Sequence, residues 1–305
     1  MSYYQQQNRK RLSIGHDGNA LTMLIAILLV IFVGLAFVKV VYYFSFAETG
    51  KALYYSQVLN PLMLPPGFEA FLNKPWTLIT HFLIHDSVWH IIVNLLWLWG
   101  FGYILQDLTG NRQIIPIFLY GGLAGAFVFL ITHNTIPVLI AASGPALGAS
   151  AGVMAIAIAT TVMAPGYRIF PFINGGIPLW VLTAIFLIID IAMIPNDNAG
   201  GHLAHLGGAA MGFLYISMLK RGKDWGVWMN NFFDWANNLF NPEKPKKGKV
   251  IKSELFYKAG VKPFTKETIV TQKKIDEILE KIHQKGYASL SEEEREALKK
   301  ASKDL

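Results

Sequence analysis

The sequence predicts an all-α membrane protein, a bundle of six transmembrane helices followed by a soluble helical C-terminal tail. Three observations carry this expectation. Of 305 residues, 53% are hydrophobic and 15% are charged, where a soluble protein carries about a quarter charged residues. The apolar residues gather into six runs of a length suited to crossing a bilayer. Lys and Arg fall in alternate connections between those runs, as the positive-inside rule requires.

The first run, 20–44, follows Arg9, Lys10 and Arg11. At about 25 residues it exceeds a signal-peptide core, so it reads as a retained span. The others cover 88–106, 113–132, 147–164, 176–194 and 201–219. The fourth and sixth are short and rich in Gly and Ala, which suits helices packed inside a bundle where backbones approach closely. Gly208 and Gly212, four apart in the sixth, fit that role. With six spans, Arg112, Arg168, the N-terminal basic residues and the Lys-rich tail share one side. On the other side, 133–146 and 195–200 lack Lys and Arg, and the long 45–87 loop has only Lys51 and Lys74. Both termini are therefore expected on the cytoplasmic face.

There are no cysteines, which excludes disulfides, thiol catalysis and thiolate metal sites. The net charge is +7, but residues 220–305 hold 19 of the 27 Lys and Arg and 13 of the 20 acids. A nearly neutral membrane body with a basic tail suits the anionic surface of a lipid bilayer. No nucleic acid partner is expected.

Helices two, four and six all begin on the outer side, and their first turns carry the polar residues. His90 and Asn94 open the second, Ser150 the fourth and His205 the sixth. At 1.5 Å per residue, all lie within roughly 10 Å of the outer surface. Serine is a weak nucleophile until a base takes its proton, and His205 is placed to supply one. Acyl transfer also needs donors aimed at the developing oxyanion. His90 and Asn94 share one helix face, and the Ser150 N–H lies near a helix N-terminus, where unpaired donors favour an anion.

Taken singly, each residue has a plainer reading. A Ser in a Gly/Ala-rich membrane helix is usually a packing residue, and a lone His or Asn is usually interhelical glue. Convergence at one depth favours the chemical reading. Asp190 is the only acid well inside a span. Four residues from the end of its run, it reads as reaching the outer interface, and a Ser150–His205 dyad is the economical model. A single intramembrane Asp disfavours an aspartyl protease, which needs two carboxylates. The absence of H-E-x-x-H disfavours a zinc protease. His81, His85 and His202 lie near the same rim, and with His90 and His205 they offer a metal-site reading, which ranks below that of interfacial histidines capping loops and helix ends. No metal and no cofactor is expected.

At these residues the chain resembles the rhomboid family of intramembrane serine proteases, over roughly residues 70–220. Trp89-His90-Ile91-Ile92-Val93-Asn94 resembles the family's H-x-x-x-N helix. Gly148-Ala149-Ser150 resembles its G-x-S nucleophile motif, and Ala204-His205-Leu206-Gly207-Gly208 its A-H-x-x-G base motif. The resemblance implies a rhomboid-like six-helix bundle whose water-filled cavity opens to the outside. It implies Ser150 as nucleophile, His205 as base, and His90, Asn94 and the Ser150 amide as oxyanion stabilisers. It implies single-span membrane proteins as substrates, a partly embedded 45–87 loop with Trp76 at its interfacial edge, and a mobile cap around Pro195 to Gly201. Departures from the family are Ala151 after the serine, Met154 where an aromatic commonly stacks on the base, Thr77 after Trp76, and Gln106 where an acid is common. The alternative is a non-catalytic rhomboid-like protein that binds transmembrane helices. A six-span transporter ranks third, because the sequence lacks the inverted repeats with broken helices that would favour it.

The expected domains are an N-terminal segment 1–19, a membrane domain 20–220, a juxtamembrane linker 221–250 and a helical extension 251–305. In the linker, Trp225, Trp228, Phe232, Phe233, Trp235 and Phe240 suit either an interfacial amphipathic helix or packing under the bundle. Residues 241–250 read as a basic stretch near the membrane. In the extension, Ile275, Ile278, Leu279 and Ile282 form one apolar face. Gly286 ends that helix, and Ser291 with Glu294 makes a capping box for a second one bearing Ala297, Leu298 and Ala301. This hairpin resembles one appended to some bacterial rhomboid-like proteins. It implies a bacterial plasma membrane, and its small core suits docking to a protein partner or to the membrane domain.

Overall fold

A computed structural model describes residues 19–141, 144–170, 172, 175–196, 198–239, 272–292, 294–295 and 298. The segment 1–18, the basic stretch 241–250, and Ala297 and Ala301 lie outside the described residues. The described structure is almost wholly helical. In chain order the helices are α1 (Ala20–Phe46), α2 (Gly50–Tyr54), α3 (Phe68–Leu72), α4 (Thr77–Thr80), α5 (Val88–Thr109), α6 (Ile114–Thr135) and α7 (Pro137–Ala141), then α8 (Ser150–Met163), α9 (Leu179–Met193), α10 (Ala199–Lys220), α11 (Val227–Leu239) and α12 (Gln272–Lys285). A two-stranded antiparallel ribbon, β1 (Arg168–Ile169) with β2 (Ile177–Pro178), connects α8 to α9.

Among the described residues, four helical stretches are long and apolar enough to cross a membrane: those containing α1, α5, α6 and α10. The sequence predicts six such spans, and the difference lies in α8 and α9, apolar helices of 14 and 15 residues. At 1.5 Å per residue each covers only about 21–23 Å, short of a hydrocarbon core of about 30 Å. Burial explains why α8 tolerates this. Every residue from Ala151 to Ala157 is buried, so most of its length meets protein rather than lipid.

Small residues place α8 between α6 and α10. A side chain at Gly208 would strike the Ala151 carbonyl, and one at Gly212 the Ala155 carbonyl. The Gly208–Gly212 pair thus brings α10 against the α8 backbone, the close approach expected of a G-x-x-x-G face. Outside this centre, apolar side chains such as Val30, Phe44 and Ile188 face outward, as lipid-facing residues do. α1 and α5 each start from a side-chain cap. The Asn19 side chain caps α1 through the Thr22 N–H at 3.0 Å, and Ser87 caps α5 through the His90 N–H at 3.2 Å. Gln106 turns inward, accepting the Leu21 N–H at 3.2 Å and tying α1 to α5.

Contacts divide the chain into two compact units, Met1–Asn241 and Pro242–Leu305. In the first, α11 packs under the bundle. Arg112 pairs with Asp234 at 3.1 Å, the Asn230 amide donates to the Arg112 carbonyl at 3.0 Å, and Trp228 donates to the Tyr120 hydroxyl at 2.8 Å. Phe232 and Trp235 remain exposed, so the helix keeps an amphipathic face as well. In the second unit, α12 stops at Gly286, whose φ of 78° suits a residue without a Cβ. The capping box forms as its sequence suggests. The Ser291 N–H donates to Glu294 at 2.8 Å, and the Glu294 N–H to the Ser291 hydroxyl at 3.3 Å. Of the expected apolar face, Ile278 is buried whereas Leu279 is exposed.

Candidate active site

Ser150 is the first residue of α8. The segment before it is held on three sides. Leu64 and Ala146 exchange backbone hydrogen bonds at 2.9 and 2.8 Å, and the Gly148 N–H donates to the His81 carbonyl at 2.8 Å. The Ala149 N–H donates to His85 Nε2 at 3.3 Å. Gly148 has a φ of 115°, and a Cβ there would lie 2.6 Å from the His90 ring. The glycine of the G-x-S motif is thus required twice, for its backbone angle and for the approach of His90.

From this position the Ser150 hydroxyl meets His205 Nε2 at 2.6 Å. The other ring nitrogen of His205, Nδ1, lies 2.9 Å from Asp190 Oδ1. A carboxylate only accepts, so Nδ1 carries the proton and the Nε2 lone pair faces the serine. That is the tautomer a general base requires. His202 Nδ1 reaches the same Asp190 oxygen at 2.6 Å.

Asp190 corrects the sequence reading. Its side chain is buried in the protein, and it completes a Ser–His–Asp arrangement where a dyad was expected. Its 15-residue separation from His205 on another helix hides the pairing, which depends on how α9 is rotated. A signal was present, since an ionisable residue inside a membrane helix is a functional candidate by default.

His90 and Asn94 line the same cavity as Ser150 and His205, an open space of about 550 Å³ bounded also by Trp97 and Phe186. The Asn94 amide donates to the His90 carbonyl at 3.0 Å and lies 3.3 Å from His85 Nε2. Ser150, at the first position of α8, is among the four residues whose N–H has no carbonyl within its helix. The four sequence-selected residues therefore converge. His85, read from sequence as a rim cap, instead joins Asn94 to the segment leading into Ser150. Its Nε2 accepts, so its proton sits on Nδ1, and burial pulls its pKa down to about 3. Burial pulls His81 down to about 4, and its Nδ1 donates to the Thr77 carbonyl at 2.7 Å. Both rings are neutral struts. Met154 is fully buried one turn below Ser150, and the bond that orients the base comes from Asp190. Trp76 is half-exposed and donates to the Pro61 carbonyl at 2.8 Å.

The fold and the site together define a polytopic helical membrane protein with a Ser–His pair facing an open cavity. Residues 72–222 match the rhomboid domain, and residues 264–304 match a family of unknown function, DUF6576. The chain belongs to the rhomboid family. It is 34% identical over 169 residues to presenilin-associated rhomboid-like protein A, mitochondrial, of Danio rerio, covering 50% of this chain and 42% of that one. It is 30% identical to RHOMBOID-like protein 12, mitochondrial, of Arabidopsis thaliana, covering 48% and 47%. It is 29% identical to rhomboid protein 1, mitochondrial, of Saccharomyces cerevisiae, covering 43% and 38%. The matched region spans less than half the length of each of these relatives.

These relatives overturn the placement in a bacterial plasma membrane, since proteins from fish, plant and yeast alike are mitochondrial by name. The assignment of both termini to a cytoplasm falls with it. Composition and the Lys/Arg asymmetry report which segments share a side of a bilayer. They carry no information on which bilayer it is.

Proposed function

We propose that this protein is an intramembrane serine endopeptidase that hydrolyses peptide bonds in or near transmembrane segments of single-span membrane proteins. The observation that supports this most directly is His205, which bridges the Ser150 hydroxyl at 2.6 Å and the Asp190 carboxylate at 2.9 Å. His205 Nε2 takes the Ser150 proton as Oγ attacks the substrate carbonyl. The oxyanion is met by the Ser150 N–H with the His90 and Asn94 side chains. His205 then protonates the leaving amine, and the acyl group stays on Ser150. Water from the cavity, deprotonated by His205, hydrolyses the ester and restores the serine. Asp190 accepts the Nδ1–H throughout and stays ionised.

In this reading all six apolar helices lie in the bilayer, with α8 shielded at its centre. The membrane is mitochondrial, by analogy with the named relatives, and the second unit docks a protein partner. A non-catalytic helix-binding protein has no use for a serine, an imidazole and a buried carboxylate in sequence. The test is cleavage of a model single-span substrate by purified protein in liposomes, beside Ser150→Ala and His205→Ala. Each substitution is expected to abolish cleavage, by a factor on the order of 10³ or more, without lowering the melting temperature. Wild-type protein that neither cleaves nor reacts with a serine-directed probe would replace this reading with the non-catalytic one.

A further inference from the structure

The proposed reaction uses one imidazole on Asp190, yet the structure places two there. His202 precedes His205 by one turn of α10, and its Nδ1 contacts Asp190 Oδ1 more closely, at 2.6 against 2.9 Å. The second carboxylate oxygen, Oδ2, is buried and has no hydrogen-bond partner among the described residues. Buried carboxylate oxygens are normally satisfied. With both rings neutral, the cluster also holds an unbalanced negative charge on a side chain only 3% exposed, which is a costly state. A Ser–His–Asp relay explains neither His202 nor Oδ2.

The donor atoms of Asp190, His202 and His205 all lie within 4.8 Å of one another. Two imidazole nitrogens and a carboxylate oxygen form a ligand set that zinc adopts when one position stays open to water. Both imidazole side chains are 18% exposed, so an ion can reach them. Three of the other histidines each engage one ring nitrogen elsewhere. His81 Nδ1 and His133 Nδ1 contact backbone carbonyls, and His85 Nε2 contacts the Ala149 N–H.

We propose that Asp190, His202 and His205 form an inhibitory site for a divalent transition-metal ion of the zinc class. The inhibition rests on the protease reading, whereas the binding does not. Without metal, each ring keeps its proton on Nδ1, and the Nε2 lone pair of His205 faces Ser150. A metal bonds Nδ1 through that atom's lone pair, so each neutral ring must carry its proton on Nε2 instead. Three coordination bonds form, two N–H···O contacts break, and both protons stay on the rings. The ion's two positive charges and the carboxylate's one negative charge leave the cluster at a net single positive charge. His205 then offers an N–H to the serine hydroxyl and no longer accepts its proton. At zinc–nitrogen distances of about 2.0–2.1 Å, ligand atoms sit roughly 3.3 Å apart, so the two short contacts open by about half an ångström.

The test uses the tag-free full chain in detergent. Zinc binding to Ser150→Ala is followed by calorimetry, which needs no turnover, with His202→Gln and His202→Ala added to that background and melting temperature used to select the variant that folds. The expected result is one zinc ion per chain, with binding lost when His202 is replaced. Wild-type cleavage should stop at the same zinc concentrations and recover fully with a chelator. Magnesium, which favours oxygen ligands, should have no effect. No zinc bound to the folded Ser150→Ala chain, or binding unchanged without His202, overturns the site. Binding that needs His202 but leaves cleavage and serine-probe labelling intact overturns the inhibition. If the wild type neither cleaves nor labels without zinc, the protease reading fails while calorimetry still decides the metal site.

Discussion

Helix α10 joins two buried polar clusters, one at each end, and they are satisfied to different degrees. At the end carrying Tyr215, the Tyr215 hydroxyl donates to Gln113 Oε1 at 2.6 Å, and Gln113 Nε2 donates to Asp224 Oδ2 at 2.8 Å. The Gly226 N–H donates to Asp224 Oδ1 at 2.7 Å. Each side-chain oxygen and nitrogen in that cluster has a partner. At the other end, two histidines crowd one oxygen of Asp190 while its second oxygen has none among the described residues. A cluster kept only for stability is expected to close its hydrogen bonds. An unsatisfied one beside a cavity marks a place where stability has been given up for chemistry.

The comparison is broken most sharply at Asp190. Asp190→Asn keeps the size of the side chain and removes the charge, and its amide can donate as well as accept, so the tautomer of His205 is no longer fixed. Cleavage is expected to fall by a factor on the order of 10²–10⁴, with the melting temperature unchanged or raised. A variant that loses stability and keeps its specific activity would make the two clusters alike.

A second test addresses the struts behind the serine. Burial holds His81 near pKa 4 and His85 near 3, from an ordinary value of 6.5. Below 6.5 the unfolded chain binds protons that the folded chain refuses, so stability falls with falling pH. This contribution is complete above about pH 6.5 and is lost as pH drops towards 4, by up to about 1.4 kcal/mol per pH unit for each group. The melting temperature in detergent should decline across that window, and His85→Gln should flatten the decline. A level profile from pH 7 to 4 would mean that these rings do not hold the serine segment.

Much of this was legible in the sequence, and the gaps have physical reasons. Helix positions followed from apolar runs. Ser150, His205, His90 and Asn94 shared a layer because helix rise and alternating orientation fix depth. Depth is only one coordinate, however. Whether Asp190 faces lipid, interface or His205 depends on the rotation of α9, which packing sets and a uniformly apolar helix does not announce. The same holds for His85, whose role appears only once the loop before Ser150 lies against it. The shortness of α8 was hidden because the apolar run 147–164 takes in Leu147, Gly148 and Ala149, which precede the helix.

The smallest expected effect tests the satisfied end of α10. Tyr215 is almost fully buried, and Tyr215→Phe removes only its hydroxyl. Gln113 Oε1 then loses its donor in a buried setting, a loss of about 1–3 kcal/mol. The chain should melt at a lower temperature. Because the cluster lies at the opposite end of α10 from His205, cleavage per folded molecule should stay within about twofold of wild type, since distant sites without shared partners act nearly independently. Denaturant or thermal unfolding measured beside turnover separates the two quantities. Asp190→Asn and Tyr215→Phe should therefore give opposite patterns, one losing rate and keeping stability, the other losing stability and keeping rate. If Tyr215→Phe instead slowed cleavage in fully folded protein, α10 would be transmitting strain along its length, and its two ends would have to be treated as one device.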